Sequence, residues 1–142
     1  MDKKSILIID DDRGILDGFK LLLERKGYLI DTAETGSEAI EKVRSKYFNL
    51  ALIDIRLPDI DGTALLSEFR ELNPEMKKII ITGYSTRENA IESLNQGANA
   101  YLVPIPDPHP KTCINFYQHI LFPGKFAVIV QQSHIRKLRF KY

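Results

Sequence analysis

Five short apolar runs punctuate residues 5–103: Ser5–Ile9, Tyr28–Thr32, Leu50–Ile53, Lys78–Thr82 and Ala100–Val103. Segments of helical period separate them. Strands joined by helices run parallel, and helices then cover both faces of the sheet. The alternation therefore predicts an α/β fold: one doubly wound domain built on a five-stranded parallel sheet.

The intervening segments carry the matching signals. From Arg13 to Lys26, residues Ile15, Leu16, Phe19, Leu22 and Leu23 fall on one helical face, and Gly27 ends the helix. Ser37 is placed to N-cap a second helix that turns Ala39, Ile40 and Val43 inward. Pro58-Asp59-Ile60-Asp61-Gly62 reads as a turn. After it, Leu65, Leu66, Phe69 and Leu72 mark a third helix that Asn73-Pro74 stops. Thr86 to Gln96 gives a fourth helix, buried through Ala90, Ile91 and Leu94 and closed by Gly97.

Two of the apolar runs end in carboxylates. The first delivers Asp10, Asp11 and Asp12, and the third delivers Asp54. In an open α/β sheet, ligands sit at the carboxyl ends of the strands. Acids gathered there repel one another and call for a cation, most simply Mg²⁺, with Mn²⁺ as the alternative. An aspartate beside such an ion is an oxygen nucleophile able to carry a phosphoryl group. Thr82, at the end of the fourth run, adds a hydroxyl that can donate to that group. Asp12 doubles as a cap for the first helix. His109, His119 and His134 lack metal-ligand spacing, and a single cysteine, Cys113, argues against zinc.

Composition narrows the class. The 142 residues hold 20 Lys and Arg against 19 Asp and Glu, a net charge of +1 that suggests no nucleic-acid partner. No apolar stretch approaches the ~20 residues that span a bilayer. One cysteine allows no internal disulfide, so a cytoplasmic location is expected. The charge is unevenly spread: residues 1–104 hold 18 acids and 14 bases, whereas residues 105–142 hold Asp107 and six bases. In that last part, Cys113, Phe116, Tyr117 and Ile120 keep helical spacing, so 107–122 reads as a degenerate last helix. Pro123-Gly124 would end it. Residues 123–142 form an extension, with a strand at Phe126–Val130 and a basic arm from His134 to Tyr142.

Four motifs in order resemble one family, the two-component response-regulator receiver domains of CheY-like type. Ile6-Leu7-Ile8-Ile9-Asp10-Asp11-Asp12 is similar to its opening strand and acid pair. Leu52-Ile53-Asp54-Ile55-Arg56-Leu57-Pro58-Asp59-Ile60-Asp61-Gly62 is similar to its phosphoacceptor segment. Ile80-Ile81-Thr82-Gly83 resembles its switch-hydroxyl strand, and Gly97 to Val103 its run into the fifth strand. The match covers residues 4–103 of a receiver extending over 1–122. The resemblance implies a flavodoxin-like sheet in the order 2-1-3-4-5. It also implies that Asp54 accepts a phosphoryl group from a sensor histidine kinase, a phosphotransfer protein or a small phosphodonor. Metal ligation would fall to Asp11, Asp10, Asp54 and the backbone carbonyl of Arg56. Thr82 and Tyr101 would be the switch pair, with Tyr101 turning inward. Arg56 and Tyr84 would tune phosphoryl lifetime. The receiver catalyses its own phosphorylation and often its own dephosphorylation, without being a dedicated enzyme. It would signal to a downstream protein, and self-association into a homodimer is a further option.

The family's lysine after the fifth strand is absent, because the chain reads Val103-Pro104-Ile105-Pro106. Either proline replaces the lysine, or the lysine is deleted and Pro104 is the family's own proline. A lost lysine followed at once by a change of composition is also what a reading-frame shift produces. The chain is expected to be a stand-alone regulator or a fragment of a longer protein. Its competing reading is a phosphorylation-independent interaction module, a pseudo-receiver. A phosphohydrolase of the aspartate-nucleophile type ranks below both, since Arg56 stands where its second aspartate belongs. A Rossmann enzyme lacks its Gly-rich turn.

Overall fold

The computed structural model describes residues 3–83 and 86–102. Strand and helix alternate strictly among them: β1 (Ser5–Ile9), α1 (Arg13–Arg25), β2 (Leu29–Ala33), α2 (Gly36–Ser45), β3 (Leu50–Ile53), α3 (Gly62–Leu72), β4 (Lys77–Ile81), α4 (Arg87–Asn95) and β5 (Ala100–Leu102). The strands form one parallel sheet in the order β2-β1-β3-β4-β5, as expected. Its side chains alternate with the pleat. Ile6 and Ile8 turn to one face, where α1 buries Leu16, Phe19 and Leu23 against them. Leu7 and Ile9 turn to the other, which α2, α3 and α4 cover through Ala39, Val43, Leu65, Phe69, Ala90 and Leu94. The unbroken apolar run from Ile6 to Ile9 in β1 follows from burial on both faces.

Local chemistry sets the helix limits. Asp12 opens α1 by accepting from the amides of Gly14 at 2.8 Å and Ile15 at 3.3 Å. Gly27 and Gly97 follow the ends of α1 and α4 at φ of +93° and +107°, a region where only glycine rests without strain. The cap of α2 is Thr35 rather than the expected Ser37. Thr35 accepts from the Glu38 amide at 3.1 Å, while Glu38 reaches back to the Glu34 amide at 3.0 Å. Thr35-x-x-Glu38 is a capping-box spacing, and Ser37 is occupied by Asp59 instead. Leu72, expected inward, stays 37% exposed. It is the last residue of α3, and the chain leaves the helix at Asn73, whose buried amide donates to the Phe48 carbonyl at 3.1 Å. Strands β2 and β4 lie one residue later and one earlier than the apolar runs suggest. Val103, the helix of 107–122, the strand of 126–130 and the basic arm lie outside the described residues. No described helix is long and apolar enough to cross a membrane.

β2 is an edge strand, and Asp31 projects from it toward α2. Lys42 donates to Asp31 at 2.8 Å and Lys46 pairs with its second oxygen. Burial opposes the Asp31 charge, but the two ammonium groups hold its carboxyl down at about 2.

The β3–α3 loop is closed at its base. Gly62 donates to the Ile55 carbonyl at 2.8 Å, and Arg56 bridges Asp61 in antiparallel fashion. A methyl group on Gly62 would overlap the Asp54 carbonyl oxygen and lie 2.8 Å from the Ile55 Cα. Gly62→Ala is therefore expected to cost about 2–3 kcal/mol, as overpacking against backbone does. Gly18→Ala, in open space on α1, should stabilise by about 1 kcal/mol. Urea unfolding midpoints of the two variants provide the check, and a Gly62→Ala protein as stable as the parent would contradict this packing.

Candidate functional site

The strand order reverses between β1 and β3, the place where an open sheet leaves a crevice for a ligand. Ile9 pairs in register with Ile53, so Asp10 and Asp54 emerge side by side. Two backbone hydrogen bonds extend the ladders just past the strands: Asp54 donates to the Ile9 carbonyl at 2.9 Å and Asp10 to the Ala33 carbonyl at 3.1 Å. The carboxylates thus grow directly out of the hydrogen-bonded centre of the sheet. Oxygens of Asp10, Asp11 and Asp54 all lie within 4.8 Å of one another. Asp10 and Asp54 are half-buried and Asp11 is exposed.

Beside them is a cleft of about 420 Å³. Asp10, Asp11, Asp12, Asp54, Thr82 and Gly83 line its polar side, and Ile8, Ile15, Phe19, Leu52 and Ile81 its apolar side. No basic side chain is among the described lining residues. The electrostatic result is legible in the acids. Burial raises the Asp10 carboxyl to about 7; the Asp12 amide, donating at 2.9 Å, opposes this, while the charges of Asp54, Asp11 and Asp12 add to it. Burial also raises Asp54, against hydrogen bonds from the Arg56 amide at 3.4 Å and the Thr82 hydroxyl. Two carboxylates that burial makes costly to ionise, with the exposed Asp11 beside them, form a ligand set for a hard divalent cation.

The expected residues therefore converge. Asp10, Asp11 and Asp54 form one cluster, and Thr82, only 2% exposed, hydrogen-bonds to Asp54. Arg56 follows two residues after Asp54 and gives it an amide hydrogen bond. Tyr101 is already turned inward and is 1% exposed, with a hydroxyl that has no hydrogen-bond partner among the described residues. Burial, then the Asp54 charge, pushes its phenol up to about 12. Tyr84 and Pro104 lie outside the described residues. One interaction in the loop after Asp54 was not singled out beforehand. Asp59, which the sequence shows only as a turn acid, accepts from the Gly36 amide at 2.8 Å, the Ser37 amide at 2.9 Å and the Ser37 hydroxyl at 2.7 Å. Its partners are more than twenty residues away in sequence, so no local pattern announces them.

The chain belongs to the response regulator receiver domain family, whose model matches residues 6–105. It is 40% identical over 102 residues to the transcriptional regulatory protein ZraR of Escherichia coli O157:H7, an overlap covering 72% of this chain and 23% of that protein. The chain thus spans under a quarter of that relative's length. Among solved structures, a CheY-like receiver domain protein from Methanospirillum hungatei JF-1 shares 43% identity at a TM-score of 0.72, covering 84% of this chain and 99% of that one. The beryllofluoride-activated NtrC4 receiver domain dimer shares 28% identity at a TM-score of 0.70, covering 82% and 93%. The fold is that of a two-component receiver, and receiver domains are regulatory domains rather than dedicated enzymes.

Two outcomes follow from the charges and the orphan hydroxyl. An acid whose pKa is raised on folding destabilises the folded state once ionised. Metal-free protein should therefore lose stability as pH rises from about 4 to about 7, with Asp10 a source and Asp54, also raised, adding to it. Thermal melts in a chelator across that range test this, and an unchanged slope in Asp10→Asn would reject it. Tyr101→Phe removes a buried hydroxyl that is unpaired among the described residues and should raise stability by about 1 kcal/mol. A lower melting temperature for that variant would show that the hydroxyl has a partner.

Proposed function

We propose that this chain receives a phosphoryl group on Asp54 in a Mg²⁺-dependent reaction, with a sensor histidine kinase, a phosphotransfer protein or a small acyl phosphate as donor. The observation that carries the reading is the convergence of three carboxylates and one buried hydroxyl at the β1–β3 reversal. Asp10, Asp11, Asp54 and the Arg56 carbonyl would hold the ion, with Mn²⁺ able to stand in for Mg²⁺. When bound, it would neutralise the carboxylates and the transferred oxygens. An Asp54 carboxylate oxygen attacks phosphorus, the bond from phosphorus to the donor's nitrogen or oxygen breaks, and an aspartyl phosphate forms. Thr82 is within hydrogen-bonding reach of Asp54 and donates to a phosphoryl oxygen. Tyr101 fills the space behind it, and Arg56 and Tyr84 govern how readily water reaches the phosphorus.

In this reading the receiver occupies residues 1–122 and works in the cytoplasm, with 123–142 as an extension. The phosphorylated surface engages a downstream protein or a second copy of the receiver. A second reading, a pseudo-receiver that binds partners without phosphorylation, draws on the lack of a basic side chain among the described lining residues and of the family's lysine after the fifth strand. Against it stands the cost of keeping three repelling carboxylates together without a use for them.

Intact mass after incubation with Mg²⁺ and acetyl phosphate separates the two. A phosphoryl adduct on the parent, absent from Asp54→Asn and absent in a chelator, is the expected result. No adduct and no released phosphate from folded protein would overturn the phosphoacceptor reading and favour the pseudo-receiver.

A further inference from the structure

The loop that follows Asp54 is held at two places. At its base, the Gly62 amide bonds to the Ile55 carbonyl at 2.8 Å, and Asp61 caps α3 through the amide and hydroxyl of Thr63 at 2.8 and 2.7 Å. At its tip, Asp59 is clasped by the first turn of α2. Both of its carboxylate oxygens are used, one by the Gly36 amide and the other by the amide and hydroxyl of Ser37. Those three donors, the Ser37 hydroxyl foremost, hold the Asp59 carboxyl down at about 2. Ile60, next to it, packs so closely on Gly36 that a side chain at Gly36 would overlap the Ile60 methyl. The clasp therefore combines charge, two backbone donors and a steric fit that only glycine permits. Arg56, bridged to Asp61 at the base, starts the stretch of loop that runs on to the Asp59 anchor at the tip.

We propose that Asp59 is a positioning residue for the receiver's metal site. By fastening the loop tip to α2, it sets the course of the backbone at Arg56 and so the direction of the carbonyl assigned to the ion. This inference rests on the reading of Arg56 as a metal ligand given above. It also assigns α2 a share in the site, although no α2 side chain lines the cleft among the described residues.

A cap alone would stabilise α2 and nothing else, so the test needs a readout that stability does not move. Mg²⁺ affinity by titration calorimetry, and the rate of adduct formation from acetyl phosphate at low and saturating Mg²⁺, supply it. The variants are Asp59→Ala and Ser37→Ala. Thr35→Ala, which removes the cap of α2 without touching the loop, is the control. Asp59→Ala should weaken Mg²⁺ roughly tenfold, the scale seen when a group that orients metal ligands is removed. Its adduct rate should fall at low Mg²⁺ and recover at saturation. Ser37→Ala, which removes one of three bonds and leaves the fold intact, should shift affinity in the same direction by less. Thr35→Ala should lower the melting temperature with its Mg²⁺ affinity unchanged. Unchanged affinity in both Asp59→Ala and Ser37→Ala, with a parent that binds Mg²⁺ and forms the adduct, overturns the positioning role alone. A parent that binds no Mg²⁺ overturns the metal-site reading and this role with it.

Discussion

Repulsion among three carboxylates is the constraint around which this chain is organised. Asp10, Asp11 and Asp54 would separate if they stood on loops. Here the first and last are the next residues after adjacent parallel strands, and each is tied by its amide to a neighbouring ladder. The sheet thus forces together charges that solution would keep apart. Its rigidity comes from burial on both faces, with Leu7, Ile9 and Ile53 nearly inaccessible to solvent. Core packing and the chemistry of the site are in this sense one problem. Residues that do no chemistry hold the acids at a separation a divalent ion can exploit.

The surroundings of the acids are asymmetric. Amides and a hydroxyl supply partial positive charge from the Asp12, Arg56 and Thr82 sides, and no full positive charge is found among the described lining residues. Hydrogen bonds of this kind are fixed in direction and modest in strength, so they orient the carboxylates without neutralising them. That division suits the cation and phosphoryl binding proposed for the site.

Much of this was legible in the sequence because the signals are local. An apolar run ending in acids is visible at Ile9-Asp10 and Ile53-Asp54, and the period of α1 is visible from Ile15 to Leu23. The assignment of receiver family rested on such motifs in their order, and the strand order followed from that resemblance. Where reading failed, the deciding partner was distant or competing. Ser37 was the natural cap of α2, yet Asp59 claims its hydroxyl and Thr35 caps in its place. Lys78 opens the fourth apolar run, and the pleat puts it on the side of Ile80, where it is 5% exposed. Burial, with Arg70 and Lys77 nearby, then lowers its ammonium pKa. Leu72 kept the helical period and missed the core because the helix stops with it. The Asp59 clasp had no sequence signature at all.

The charged cluster on β2 also governs how copies of the chain can meet. An edge strand offers unpaired backbone groups to any strand that approaches it. Asp31, bound to Lys42 and Lys46, sits on that rim, and Lys42 reaches the Thr32 carbonyl as well, at 2.5 Å. A strand arriving from another molecule would have to displace an ammonium from a backbone acceptor and uncover a carboxylate. The β2 edge is thereby shielded against extension of the sheet by another strand.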